Sequence, residues 1–318
     1  MKYENELQKR TYRVFEDTRA ALDNDGKVEW ELPLVPDAFE YLERPDAELL
    51  AAAKQGHLEA AYRFDDYHAI RRSNRIYPLP SRVRSALIDL FSPLGKTREW
   101  LARQKTDPGN EDAIARVYLG KPGDDKSGRK RRGNSMLDIW GLRNFHLDRS
   151  RLLSALPDTS PTTGTTHKDI TPLLSLASSM SRALAISHHL LHNDANDIEF
   201  VLGCTSLTSS HTHLWLLDFD KVRPLSCMRT QMAEGVKMAV ESVLMNDPYF
   251  CSPASGRDGD EEDAGLAEEV WRAQREAYVE MSEWIAGRMG GEEEARVVRV
   301  WTGEFVRALE EAARRGRV

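Results

Sequence analysis

Two stretches decide how this chain folds: LLHNDANDIEFVLG, residues 190–203, and HLWLLDFDKVR, residues 213–223. Each places carboxylates at the edge of a short apolar run. Asp194, Asp197 and Glu199 sit on the first, Asp218 and Asp220 on the second. The runs IEFVL and HLWLL have the length and composition of neighbouring strands. Two such strands are expected to form a hairpin that feeds its acidic groups into one site.

Upstream of the hairpin, Ile170, Leu173, Leu174, Ala177, Met180, Leu184 and Leu191 recur at helical spacing, with serines between them. This predicts a helix over 169–191 whose serines occupy the polar face. Residues 4–22 read as a further helix. Residues 27–36 (KVEWELPLVP) and 67–80 (YHAIRRSNRIYPLP) read as strands stopped by prolines. Residues 81–91 read as a helix with Ser81 as N-cap. Residues 112–121 (DAIARVYLGK) read as a strand, and LRNFHL at 142–147 as a further ordered segment. Downstream, helices are expected over 231–245, 266–286 and 292–315. The tract DGDEED, within 256–265, reads as a surface loop. The order is that of an α+β protein with a helical C-terminal majority.

Composition narrows the classes. The 318 residues are 41% hydrophobic and 30% charged, which suits a globular chain. No apolar run is long enough to span a bilayer, and the charged N-terminus lacks the form of a signal peptide. Three cysteines without a C-x-x-C pair suit a reducing, cytoplasmic setting. A net charge of −7 argues against blanket adhesion to nucleic acid. Local basic runs remain: Lys126, Arg129, Lys130, Arg131 and Arg132 in one loop, and Arg71, Arg72, Arg75, Arg82 and Arg84 in a second stretch. Such runs suit phosphate contacts, and equally an ordinary solvated surface.

The order of elements, with His192 and Asp194 in HNDANDIE and Asp218 in LLDFD, resembles the protein-kinase-like fold. The similarity is to its aminoglycoside and choline phosphotransferase branch. The resemblance implies a truncated N-terminal lobe over 1–78 and a helical C-terminal lobe over 79–318. In such a kinase Asp194 would act on the acceptor hydroxyl, while Glu199, standing where the family has Asn, and Asp218 would hold magnesium. The glycine-rich phosphate cover is missing, since no glycine precedes Gly26. Phosphoryl transfer depends on that positioning.

A wider resemblance rests on NRIYPLP, ARVYLGK, LRNFHL, DANDIEFVLG, LWLLDFDKVRPL and NDPYF, in this order. The chain is similar to a fungal family whose members are often labelled zinc-finger proteins. Some members are arginine-containing cyclodipeptide synthases of natural-product biosynthesis. The resemblance implies condensation of arginyl-tRNA with a second aminoacyl-tRNA into a diketopiperazine, without a cofactor. The alternatives are a degenerate small-molecule phosphotransferase and a non-catalytic pseudokinase scaffold.

Read for such chemistry, the carboxylates take roles. Amide formation from an activated ester needs a base for the attacking amine; Asp194 or Glu199 is expected to serve, with His192 beside them. Crowded carboxylates raise one another's pKa. Guanidinium pairs bidentately with carboxylate, so Asp218, Asp220 and Asp197 are expected to hold arginine. Each has a bland reading too: Asp197 as a turn cap, Asp220 paired with Lys221 or Arg223. A covalent route would need a nucleophile, and Cys204 and Ser206 are the nearest in sequence. His188, His189, His192, Cys204, His211 and His213 match no standard zinc spacing, so no metal is expected.

Overall fold

The computed structural model describes residues 2–38, 40–42, 70–93, 95–120, 141–142, 145–156, 168–226, 229–245, 248–251 and 261–315. Helix α1 (Lys2–Asn24) opens the chain. Its buried face is Asn5, Leu7, Gln8, Thr11, Phe15, Thr18 and Leu22, along one side of the helix. Two short strands, β1 (Glu40–Leu42) and β2 (Ile70–Arg72), pair antiparallel. Then come α2 (Ser81–Phe91), α3 (Arg98–Lys105), the single turn α4 (Pro108–Glu111), β3 (Ala115–Tyr118), β4 (Phe145–Asp148) and α5 (Arg149–Ala155). The long helix α6 (Thr171–His189) leads into β5 (Glu199–Gly203) and β6 (His213–Leu217). Helices α7 (Met232–Met245), α8 (Glu261–Ala286) and α9 (Glu292–Arg314) close the described chain.

The main sheet runs β4-β3-β5-β6. β3 lies parallel to β4 and antiparallel to β5, and β5–β6 is the expected hairpin, with Glu199 opposite Leu217 and Gly203 opposite His213. The N-terminal part is stitched by single bridges to the edge strand β6 and to the end of β5. Leu34 pairs with Trp215, its amide donating to Leu214 O at 2.8 Å, and Tyr77 pairs with Cys204. The latter approach requires Gly203: a Cβ there would stand 2.5 Å from Ile76 Cγ2 and 2.9 Å from Tyr77 O. One apolar core runs from Leu7, Phe15 and Val35 through the sheet to Trp301 and Leu309, so residues from 1–78 and 79–318 share it.

Several expectations change. Residues 27–36 contribute only the Leu34 bridge, because Pro33 and Pro36 remove ladder donors on either side. Ser81 is the first helical residue of α2; Pro80 occupies the cap, and no side chain caps the helix. The serines of α6 are not a polar face. Ser179, Ser181 and Ser187 are buried, since from residue 179 onward the helix is covered on all sides and small residues let α8 pack close, while Ser175 and Ser178 nearer its start are half-buried. Helix α8 begins at Glu261, inside the acidic tract. Asp263 there is buried and takes a bidentate pair from the wholly buried Arg149, Nε to Oδ1 at 3.3 Å and Nη2 to Oδ2 at 2.8 Å. The α+β class stands, as a small mixed sheet with helices packed around it.

Candidate functional site

Helix α6 ends at His189, and the chain turns through 190–198 into β5. Beyond β6 a second loop, 218–225, lies against the first. The backbones bond to each other: Asp194 N to Arg223 O at 3.0 Å and Leu225 N to His192 O at 2.8 Å. Asn196 Nδ2 adds a contact to Lys221 O at 3.2 Å. Four non-glycine residues in these loops take left-handed backbone angles: His192 (φ 51°), Ala195 (51°), Asp197 (62°) and Asp218 (64°). Each such angle costs on the order of 1 kcal/mol and persists only where surrounding structure imposes it. Their concentration in two facing loops marks this as the constrained part of the fold.

The five carboxylates fall into three settings. Asp194 is fully buried and saturated. Its Oδ1 accepts from Asn196 N at 3.1 Å and Arg223 N at 2.9 Å; its Oδ2 accepts from Arg223 Nε at 2.6 Å and Ser242 Oγ at 3.0 Å. A carboxylate with every lone pair engaged and no solvent path holds the two loops in register and ties them to α7. That geometry is a positioning role, and it takes Asp194 out of the place of a base. Glu199 turns instead to the sheet, where Arg116 Nη2 lies 2.8 Å away beside Tyr118 and Tyr249. It too is neutralised by a cation and stands apart from the remaining acids.

Asp218, Asp220 and Asp197 form the third setting, with Glu4 from the first turn of α1. Asp218 is half-buried, and partial desolvation pushes its pKa up to about 6, aided by the charge of Asp220, a hydrogen bond to it, and the charges of Asp197 and Glu4. Asp220 is exposed. Asp197 pairs with Lys221, and Arg223 with Asp194, so the ion pair anticipated for Asp220 goes to its neighbours. His192 is exposed on the same loop; partial desolvation and the Arg10 charge hold its imidazole below the usual value. The arrangement offers one carboxyl that exchanges its proton near neutrality, a second sharing that proton, and a surplus of negative charge.

Glu4, Arg116, Arg223 and Ser242 shape these settings and were not singled out from the sequence for those roles. Arg223 carried a signal, being six residues beyond β6 in a loop rich in acids. Ser242 is one buried serine of α7 and carried none.

The other expected positions scatter. Lys126, Arg129, Lys130, Arg131 and Arg132 lie outside the described residues, as do the side chains of Arg71 and Arg72. Cys204 is buried at the Tyr77 bridge, where burial raises its thiol pKa and disfavours the nucleophilic thiolate. Ser206 bonds Thr208 at 3.3 Å. His188 and His189 are buried under α8 and α9. His188 Nδ1 lies 2.9 Å from Tyr278 Oη, and His189 Nε2 is 3.1 Å from Ser282 Oγ and 3.2 Å from Thr302 Oγ1. His211 and His213 belong to the opposite end of the hairpin.

Fold and site thus define an α+β protein with an acidic loop pair at one end of a β-hairpin. A family model described as DUF3669, zinc finger protein, matches residues 214–290, from β6 through α8, and over this stretch the chain is similar to that family. No curated protein and no solved structure matches the chain. Zinc does not fit the donors. Residues 214–290 hold two cysteines, Cys227 and Cys251, and no histidine. Cys227 lies outside the described residues. The Cys251 thiol is buried, donates to Leu119 O at 2.7 Å, and has its pKa pushed up to about 12 by burial. Among the described residues no three His, Cys, Asp or Glu side chains group to hold a metal. Nor is any described helix long and apolar enough to cross a membrane.

Proposed function

We propose that this chain is a tRNA-dependent cyclodipeptide synthase that condenses arginyl-tRNA with a second aminoacyl-tRNA into a diketopiperazine. The observation that carries the reading is the Asp218–Asp220 pair at the end of β6, with Asp218 titrating near 6 among Asp197 and Glu4. A base is most effective when its pKa lies near the working pH. Asp218 as carboxylate takes the proton from the α-amine of one aminoacyl ester. The amine nitrogen attacks the ester carbonyl of the other; the C–N bond forms, the ester C–O bond breaks, and the tRNA 3′ hydroxyl leaves with a proton. Repetition at the second ester closes the ring and releases the second tRNA. Both esters arrive activated, so no nucleotide or metal is consumed. The surplus carboxylates suit an arginine side chain, whose guanidinium neutralises like charges that otherwise repel.

In this reading the roles redistribute. Asp218 is the base, Asp220 the proton-sharing and guanidinium-pairing partner, and Asp194 and Glu199 hold loop and sheet. A second reading, a non-catalytic scaffold, draws support from the saturation of Asp194, the residue that a kinase-like catalytic loop would keep free. The deciding experiment supplies purified protein with arginyl-tRNA and a mixture of other aminoacyl-tRNAs. Mass spectrometry should detect an arginine-containing cyclic dipeptide that ribonuclease treatment abolishes. Absence of any cyclic product from folded protein would leave the scaffold reading standing.

A further inference from the structure

The β5–β6 hairpin is electrically bipolar. Asp197, Asp218 and Asp220, with Glu4, occupy the end where β5 begins and β6 finishes. The other end is basic. Arg82 donates from Nη2 to Ser210 O in the β5–β6 connection at 2.9 Å, and His211 and His213 lie beside it. Residues 75–112, which include α2, α3 and α4, carry seven Lys or Arg against five Asp or Glu, a net of +2 in a chain of −7. Some of this charge is spent: Arg75 pairs with Asp112 at 3.0 Å and Lys105 with Asp89 at 2.7 Å. Lys96, Arg98 and Arg103 are exposed and have no carboxylate partner among the described residues. Helix α3 has no fully buried residue, and its half-buried Leu101 packs against the main core. Lys96 Nζ lies 5.1 Å from the half-buried Trp100 ring.

We infer that this surface, α2 and α3 at the basic end of the hairpin, docks the phosphate backbone of RNA. A net-negative protein binds a polyanion only where cations locally outnumber acids, and on α3 Arg98, Arg103 and Lys105 stand against Glu99. Five residues of strand separate the two ends by roughly 16 Å, beyond the Debye length of about 10 Å at 0.1 M salt. The acidic loops are therefore screened from a backbone resting on α3, and a flexible single-stranded 3′ end can reach along the sheet to them. Exposed unpaired Lys and Arg beside an aromatic ring are the groups that hold a nucleic-acid backbone. That the RNA is tRNA rests on the synthase reading above.

The test measures binding of bulk deacylated tRNA to the full chain by fluorescence anisotropy across a salt series. The comparison is a variant with Lys96→Glu, Arg98→Glu and Arg103→Glu, whose fold is checked by circular dichroism. The charge reversals should weaken binding at least tenfold at 0.1 M salt and flatten the log–log salt slope by roughly 2 to 3, at about 0.7–0.9 per lost phosphate contact. Unchanged affinity and slope in the folded variant overturn the inference, as does wild-type binding to anionic phosphatidylserine vesicles but not to tRNA. Should the variant misfold, wild-type binding without a salt slope overturns the inference, and a steep slope retained after Lys126–Arg132 are replaced by alanine supports it. Strong tRNA binding through α3 without cyclic product supports the surface and removes the synthase. Product formation that survives the charge reversals removes the surface and keeps the synthase.

Discussion

At Asp218 a left-handed backbone, partial burial and three neighbouring acids converge on one carboxyl. If it is the base, Asp218→Asn removes general-base catalysis, lowering cyclic-dipeptide formation by about 10²–10⁴-fold while the fold persists. The wild-type rate should fall as pH drops through about 6, because the protonated carboxyl cannot accept the amine proton. Stability moves the other way. A carboxyl whose folded pKa lies above its unfolded value favours folding when protonated, and that contribution is lost as pH rises through 6. Asp218→Asn should therefore raise Tm at pH 7.5 and leave it unchanged near pH 4. Differential scanning calorimetry at the two pH values checks this; a lower Tm at pH 7.5 would show that the carboxylate has a structural cation partner instead. The pair DFD was legible in the sequence as an acidic site. Which acid carries the labile proton was not, because that depends first on how far the fold buries Asp218 and then on the charges brought beside it, Glu4 among them from more than two hundred residues away.

At the scale of elements, two buried acids act as clamps. Asp194 joins the α6–β5 loop, the β6–α7 loop and α7 through four accepted bonds. Asp194→Ala should cost about 2–4 kcal/mol, since buried donors lose their partner, as read from urea denaturation. Arg149 links the start of α5 to α8 through Asp263 and to β3 through Leu119 O at 2.6 Å. Arg149→Met should cost about 3–5 kcal/mol by stranding a buried carboxylate, and adding Asp263→Leu should restore most of it. Restoration in the double variant separates a stranded charge from a mere loss of packing. Asp263 lies in a tract that reads as surface by its charge density. Nothing local in DGDEED distinguishes its last acid from the others; only the arrival of Arg149, 114 residues earlier, does so.

For the whole molecule, the junction of α6, α8 and α9 is a polar knot inside an aromatic core. His188 and His189 pack against Trp301, Tyr278 and Phe305. Burial lowers both imidazoles, His189 to about 3, so both are neutral in the native protein. The unfolded chain binds protons at these sites below about 6.5, where the folded one does not. Stability should then fall as pH drops from about 6.5 toward 3, at about 1.4 kcal/mol per pH unit for each histidine. Urea melts between pH 7 and pH 5 measure the slope. His189→Gln, which retains a hydrogen-bonding group, should reduce it; an unaltered slope would place acid sensitivity elsewhere. The motifs NDPYF and ARVYLGK meet just past the end of β3: Gly120 N donates to Pro248 O at 2.8 Å, and a Cβ on Gly120 would stand 2.1 Å from Phe250 O. Their residue choice reflects close packing more than chemistry.

The sequence alone was enough for the β5–β6 hairpin, for α1, α6, α7 and α9, and for the acidic character of the loops between them. Those features follow from periodicity and from charge at strand ends, which are local. Its division of labour among the carboxylates was beyond local reading. Asp194 and Glu199 look as free as Asp218 when written in a line. Their cations, Arg223 and Arg116, come from other strands and loops. A carboxylate's chemistry is set by the solvent and charge within a few ångströms of it, and only the tertiary fold brings those neighbours there.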